Sequence, residues 1–189
     1  VVAAAKRKGV LMCAEQTAPL QMPPDLWLLF APIKKARTDF IVEKATEMGA
    51  ARVIPVQTRF TNADRIRIDK LRAHAVEAAE QCGGTFVPEV DEVVALDKLL
   101  AAWPQDRRIL WCNEHQAGQE SDFDRIPAGD PGPWAVLIGP EGGFSDAEQE
   151  RLAAMPQVVQ GSLGPRILRA DTAAVAALTL WQAKLGDWG

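Results

Sequence analysis

Apolar residues come along this chain in two rhythms. Four short runs are almost unbroken: Leu26-Trp27-Leu28-Leu29-Phe30-Ala31, Arg52-Val53-Ile54-Pro55-Val56, Arg108-Ile109-Leu110-Trp111-Cys112 and Trp134-Ala135-Val136-Leu137-Ile138. Runs of this length predict strands, and the first, unbroken, one buried on both faces. Between them apolar residues recur every three or four positions, the spacing of one helix face. Ile41, Ala45 and Met48 predict a helix that Gly49 stops, and Leu71, Ala75, Ala78 and Cys82 one that Asp69 caps. A weaker pattern covers Val93 to Ala102, and Ala174, Leu178, Trp181 and Leu185 form the stripe of the last helix. Ser145 and Glu148 have capping-box spacing, and Val158-Val159-Gln160 predicts a short strand. Strands alternating with helices imply an α/β domain with a mostly parallel sheet.

Pro19, Pro23 and Pro24 break the pattern near the start. Residues 17–25 therefore predict a linker, and residues 26–189 one main domain; residues 1–16 hold a strand-like stretch, over 1–15, that belongs to something else. The chain has 189 residues, 48% hydrophobic and 24% charged, an ordinary globular balance. No apolar run approaches the ~20 residues of a membrane helix. Val1 to Lys8 has apolar residues before basic ones, the reverse of a secretory signal, and no initiating Met, so upstream sequence is expected. Cys13, Cys82 and Cys112 are odd in number and far apart, without a CxxC pair, which predicts reduced thiols, no structural metal and a cytoplasmic setting. A net charge of −4 argues against binding nucleic acid by bulk charge, but leaves room for local patches. Lys34, Lys35 and Arg37 form one cluster and Arg65, Arg67, Lys70 and Arg72 another, each read first as a solvated face.

Ligands of parallel sheets sit in loops at the carboxyl ends of strands, and two glycine-rich loops qualify. The first, Ile138-Gly139-Pro140-Glu141-Gly142-Gly143-Phe144-Ser145, joins a strand to a helix start. It lacks P-loop spacing and lysine, and Glu141 would repel phosphate, so it is either a plain tight turn or a site for a neutral or cationic ligand. The second, Leu163-Gly164-Pro165-Arg166-Ile167-Leu168-Arg169-Ala170-Asp171-Thr172, sets two arginines near a helix start that Asp171 or Thr172 would cap. Arginines there suit an anion such as RNA phosphate, or pair with Asp171 or Glu141. His74 reads as a surface residue, and Cys112 with His115 lacks the third group of a nucleophilic site.

"LIGPEGGFSDAE" (137–148) followed by "LGPRILRADTAAVAAL" (163–178) resembles the SPOUT methyltransferases, and within them the RsmE family. "KKARTDFIVEKATEMGAARVIPV" (34–56) and "AHAVEAAEQCGGTFVPEV" (73–90) extend the resemblance over about Leu26 to Leu185. It departs at Gly83-Gly84, where the family usually shows an arginine after the "EQ" pair.

The resemblance implies a parallel sheet ending in a deep trefoil knot, a homodimer with the last helix at the interface, and an N-terminal RNA-binding β-barrel of which residues 1–16 would be the tail. It implies S-adenosyl-L-methionine as cofactor and transfer of its methyl to uracil N3 in small-subunit (16S) ribosomal RNA. Transfer to a ribose 2′-hydroxyl and a non-catalytic RNA-binding role are the alternatives. The implied cofactor residues are Ile138, Gly139, Pro140, Glu141 and Gly142 in the first loop, and Leu163, Gly164, Ile167, Leu168, Arg169 and Thr172 in the second. Arg169 would stabilise the uracil oxygen or anion, and Glu141, with Asp171 behind it, would take the proton. Arg166, Lys34 and Arg37 would hold RNA, and no metal and no membrane contact is implied.

Overall fold

The computed structural model describes residues 2–62, 66–129 and 132–188. The elements in chain order are β1 (Ala3–Ala5), β2 (Lys8–Val10), β3 (Leu26–Phe30), α1 (Lys35–Glu47), β4 (Arg52–Gln57), α2 (Ile68–Cys82), β5 (Glu89–Val90), β6 (Val94–Ala95), α3 (Leu96–Ala101), β7 (Arg108–Cys112), β8 (Trp134–Ile138), α4 (Asp146–Ala154), β9 (Val158–Gly161) and α5 (Ala170–Leu185). From β3 onward all strands pair in parallel in one seven-stranded sheet of order β5-β4-β3-β8-β7-β9, with β6 also beside β4. The mostly parallel α/β sheet expected from the apolar runs is what the chain forms.

The runs are unbroken because both faces of the sheet are covered. On one face Leu28, Phe30 and Val136 pack with Ile41 and Ala45 of α1, Leu71 of α2 and Leu178 and Trp181 of α5. On the other, Leu29, Ile54, Trp111 and Leu137 pack with Leu96 and Leu100 of α3 and Leu152 of α4. Burying each such leucine stabilises the fold by roughly 1.5–3 kcal/mol. At the centre, Leu28 pairs with Val136 and Leu29 with Leu137.

Gly49 ends α1 as expected, with φ +75°, and the amide of Gln182, buried in α5, donates to Met48 O at 2.6 Å and ties the two helices there. Asp69 does not cap α2: the cap position is Arg67, and Asp69 lies inside the first turn with its carboxylate taken by that arginine. The guanidinium holds the Asp69 carboxyl below the usual carboxylate range. Arg65 of the same basic cluster lies outside the described residues. The pattern from Val93 to Ala102 shortens to β6 and α3, because Val94 and Ala95 continue the sheet beside Val56 and Gln57. Gly83 closes α2 with φ +71°.

Asp25, read as the end of the linker, is built into the sheet. Its carboxylate receives Arg107 Nη2 at 2.8 Å on both oxygens, and its carbonyl accepts from Trp134 N. Arg107 is buried and stacks on Trp27 at 3.6 Å. By contrast β1 and β2 form a small antiparallel ribbon whose residues are all exposed. Among the described residues no helix is long and apolar enough to cross a membrane.

Candidate active site

β7, β8 and β9 run in parallel, so the loops after them leave the sheet on one side. They enclose a cavity of about 250 Å³. The loop after β7 gives Cys112 to His115 and Ala117; the loop after β8 gives Gly139, Pro140, Glu141, Gly143 and Phe144; the segment after β9 gives Leu163, Gly164 and Arg166 to Arg169. Ile138, Gln149, Ala170 and Ala173 complete the wall.

Each glycine loop has a local reason for its shape. A Cβ on Gly139 would sit 2.7 Å from Phe144 Cε2, so only glycine lets that ring close over the strand end. The ring stands edge-on to Trp111, centroids 5.9 Å apart. Gly143 closes a turn onto Pro140 O at 2.9 Å with φ +69°, and its missing Cβ leaves room for the Glu114 carboxylate. The capping box then fixes the start of α4, with Glu148 Oε2 accepting from Ser145 N and Oγ, both at 2.8 Å. Gly164 has φ +98°, and its carbonyl accepts from Gly118 N at 3.0 Å, which lays the β7 loop against the β9 loop.

α5 begins at Ala170 with Arg169 in the cap position and no side-chain cap. Neither Asp171 nor Thr172 caps it. Instead Asp171 Oδ2 pairs with Arg37 of α1 at 2.5 Å and Asp171 Oδ1 accepts from Thr172 N. Thr172 N is thus taken, while among the described residues no side chain caps the amides of Ala170 and Asp171 at the helix start beside the cavity. Arg166 and Arg169 are exposed on its rim, and among the described residues no acidic side chain pairs with either. Glu114 and Glu141 are exposed on the same cavity, so the site carries both signs of charge. Packing pushes the Cys112 thiol on the wall up to about 12, which leaves it protonated and inert at neutral pH.

Of the residues named from the sequence, Ile138, Gly139, Pro140, Glu141, Leu163, Gly164, Ile167, Leu168 and Arg169 line the cavity, and Arg166 joins them. Gly142 faces the Phe60 side chain, and Thr172, Lys34 and Arg37 lie off the wall. Arg37 is engaged by Asp171, which ties α1 to the start of α5. Sequence reasoning set His115 aside as part of a nucleophilic pair with Cys112 and missed Asn113, Glu114 and Ala117 of the β7 loop, because nothing glycine-rich marks it; the signal available was its place after a buried strand. It also missed Phe144, Gln149, Ala170 and Ala173. Among the described residues no group of three or more His, Cys, Asp or Glu could hold a metal ion.

Residues 21–182 match the model of the RNA methyltransferase domain family. The chain belongs to that family. As an RNA methyltransferase domain it is 34% identical over 169 residues to the ribosomal RNA small subunit methyltransferase E of Bacillus subtilis, covering 84% of this chain and 66% of the relative. It is 30% identical over 153 residues to the enzyme of the same name from Rickettsia conorii, covering 81% of this chain and 62% of the relative. The chain thus spans less than two thirds of the length of either. A crystal structure of the Neisseria gonorrhoeae ribosomal RNA small subunit methyltransferase E bound to S-adenosyl methionine superposes with a TM-score of 0.78 at 26% identity, over 89% of this chain and 70% of that one. The Aquifex aeolicus TrmH/SpoU tRNA modifying enzyme, at 14% identity and a TM-score of 0.53, shares the fold. The resemblance of the two loops to the RsmE family is borne out.

Proposed function

We propose that this chain is the catalytic domain of an enzyme that methylates N3 of a uridine in small-subunit (16S) ribosomal RNA with S-adenosylmethionine. The observation that carries this is the cavity at the carboxyl ends of β7, β8 and β9, walled by the two glycine loops in a fold like that of a relative bound to this cofactor. The residues present fit the group. Ile138, Leu163, Leu168 and Ala173 give apolar walls for an adenosine. Open backbone N–H groups at the start of α5 give donors, and the carboxylates of Glu114 and Glu141 suit a cationic centre.

When bound, the cofactor supplies an electrophilic methyl on a sulfonium and leaves as a neutral thioether. The chain's own work is to hold the base in line with that methyl and to manage its proton. Glu141 takes the N3 proton, so that the nitrogen lone pair forms the new N–C bond. Arg169 donates to the uracil oxygen on which negative charge grows. Arg166, beside it on the rim, holds a phosphate of the same strand.

The same reading takes the chain's path after β9 as the knotted one of SPOUT enzymes. It is supported by β9 lying at the sheet edge beside β7 while α5 returns to pack on β8 and α1. It takes the enzyme as a cytoplasmic homodimer through α5, supported by Phe40, Val76 and Leu180 exposed on α1, α2 and α5. It takes β1 and β2 as the end of an RNA-binding barrel. Calorimetric titration tests the cofactor site: S-adenosylmethionine binds at about one per chain and ATP does not. Digestion of methylated ribosomal RNA to nucleosides tests the reaction. 3-Methyluridine is expected, and a 2′-O-methylated nucleoside in its place refutes the N3 assignment.

A further inference from the structure

β4 is separated from β8 by β3, yet the turn after β4 reaches the glycine loop after β8. Phe60, 47% exposed, lies against the backbone of Gly142, with its Cβ 3.2 Å from where a side chain at Gly142 would begin. Gly142 is flanked by Glu141 and Gly143, both on the cavity wall. The turn is stiff: Thr58 N donates to Thr61 Oγ1 at 2.9 Å and the two hydroxyls meet at 2.8 Å. It is also bolted to the active site. Glu148, buried, accepts from Arg59 N at 2.8 Å through Oε1 while its Oε2 holds Ser145. The exposed guanidinium of Arg59 has no acidic partner among the described residues.

An exposed aromatic and an exposed cation, neighbours on a turn braced against a loop of the cavity, match the way proteins hold unpaired nucleotides. A base stacks on the ring and the cation meets the backbone phosphate. We infer that Arg59 and Phe60 form a subsite for an unpaired nucleotide of the strand that delivers the target base, with the base on the Phe60 ring and the phosphate on Arg59. Gly142 belongs to this subsite, since its missing side chain lets the ring lie flush with the cofactor loop. The inference rests on the methyltransferase reading.

The test uses the full chain and a fluorescein-labelled single-stranded oligouridylate of about ten nucleotides, with binding followed by anisotropy. Stacking on one aromatic makes F60L weaken binding by about 5- to 150-fold, while F60Y restores it. R59Q reduces the slope of log affinity against log salt by about 0.7. S-adenosylmethionine titration of each variant checks the fold, because neither residue lines the cavity. Equal binding by F60L and the unchanged chain, or equal binding of a duplex, or no binding of the oligonucleotide at all, overturns the subsite. If F60L does not fold, the R59Q salt slope decides alone, and an unchanged slope counts against the subsite. Failure of the unchanged chain to take up S-adenosylmethionine strikes the methyltransferase reading instead, and leaves the oligonucleotide comparison to stand or fall by itself.

Discussion

Gly139→Ala adds a single methyl, and the structure says where it goes. The new Cβ arrives 2.7 Å from Phe144 Cε2 and 3.2 Å from both Cδ2 and Cζ. Gly139 is not among the glycines with positive φ, so the backbone accepts alanine and the cost is steric. The obstacle is an aromatic ring seated edge-on against Trp111, not the free end of a flexible chain. Overpacking of this kind costs about 1–3 kcal/mol. Tilting the ring away also forfeits part of an aromatic pair worth about 0.5–1.5 kcal/mol. A loss of about 2–3 kcal/mol follows, which lowers Tm by roughly 4–12 °C for a chain of this size. Urea unfolding measures it, and Phe144→Leu supplies the control. If the clash with the ring is the cause, the double variant G139A/F144L is more stable than the sum of the two single losses by about 1 kcal/mol or more. Additive losses, or a G139A chain within about 0.5 kcal/mol of the original, refute the steric account. Phe144 also lines the cavity, so S-adenosylmethionine affinity falls in G139A and partly recovers in the double variant.

Asp25→Asn leaves Arg107 buried without its carboxylate and costs about 1–2 kcal/mol in urea unfolding, reduced because the Asp25 side chain is 54% exposed; no loss means that the stack on Trp27 suffices. Arg37→Ala and Asp171→Ala give a double-mutant coupling of about 0.5–1 kcal/mol, and zero coupling removes the α1–α5 tie. Arg169→Ala lowers kcat by about 10²–10³-fold, and full turnover withdraws its role on the uracil oxygen. Cys112 resists alkylation at neutral pH while exposed Cys13 and Cys82 react. Its raised folded pKa means that its contribution to stability is intact below the unfolded value of 9.0 and is lost as pH climbs toward about 12. Cys112→Ala flattens that alkaline loss, and an unchanged alkaline transition assigns it to another group.

The strands were legible because a fully buried parallel strand needs nothing but apolar residues. Trp134 to Ile138 and Arg108 to Cys112 are bounded in the structure where the runs begin and end. The end of α1 at Gly49 was legible for a different reason, since only a positive φ was needed there. What failed was chemistry that depends on distant partners. Asp69 has a cap's spacing, but a neighbouring arginine takes its carboxylate. Asp171 sits where a cap belongs, but Arg37 claims it from another helix. Asp25 reads as linker because its partner, Arg107, comes from far along the chain. In the candidate site, the two glycine loops announced themselves through backbone demands. The β7 loop did not, because Asn113, Glu114 and His115 owe their place to the strand before them and to the hydrogen bond between Gly118 and Gly164.

The pairing of β3 with β8 at the centre of the sheet sets an order of events in time. Leu26 leaves the ribosome long before its register partner Trp134 exists. At synthesis rates of about 5–20 residues per second the wait is roughly 5–20 s. Until Trp134 arrives the Leu-Trp-Leu-Leu-Phe strand has at most its β4 partner, once β4 has emerged, and an open apolar edge on the other side. Such an edge is a template for unwanted pairing, so the nascent chain is most vulnerable to aggregation in this interval. The loop after β7 is made before β8, but the cavity it shares with the loops after β8 and β9 is completed only after that edge is sealed.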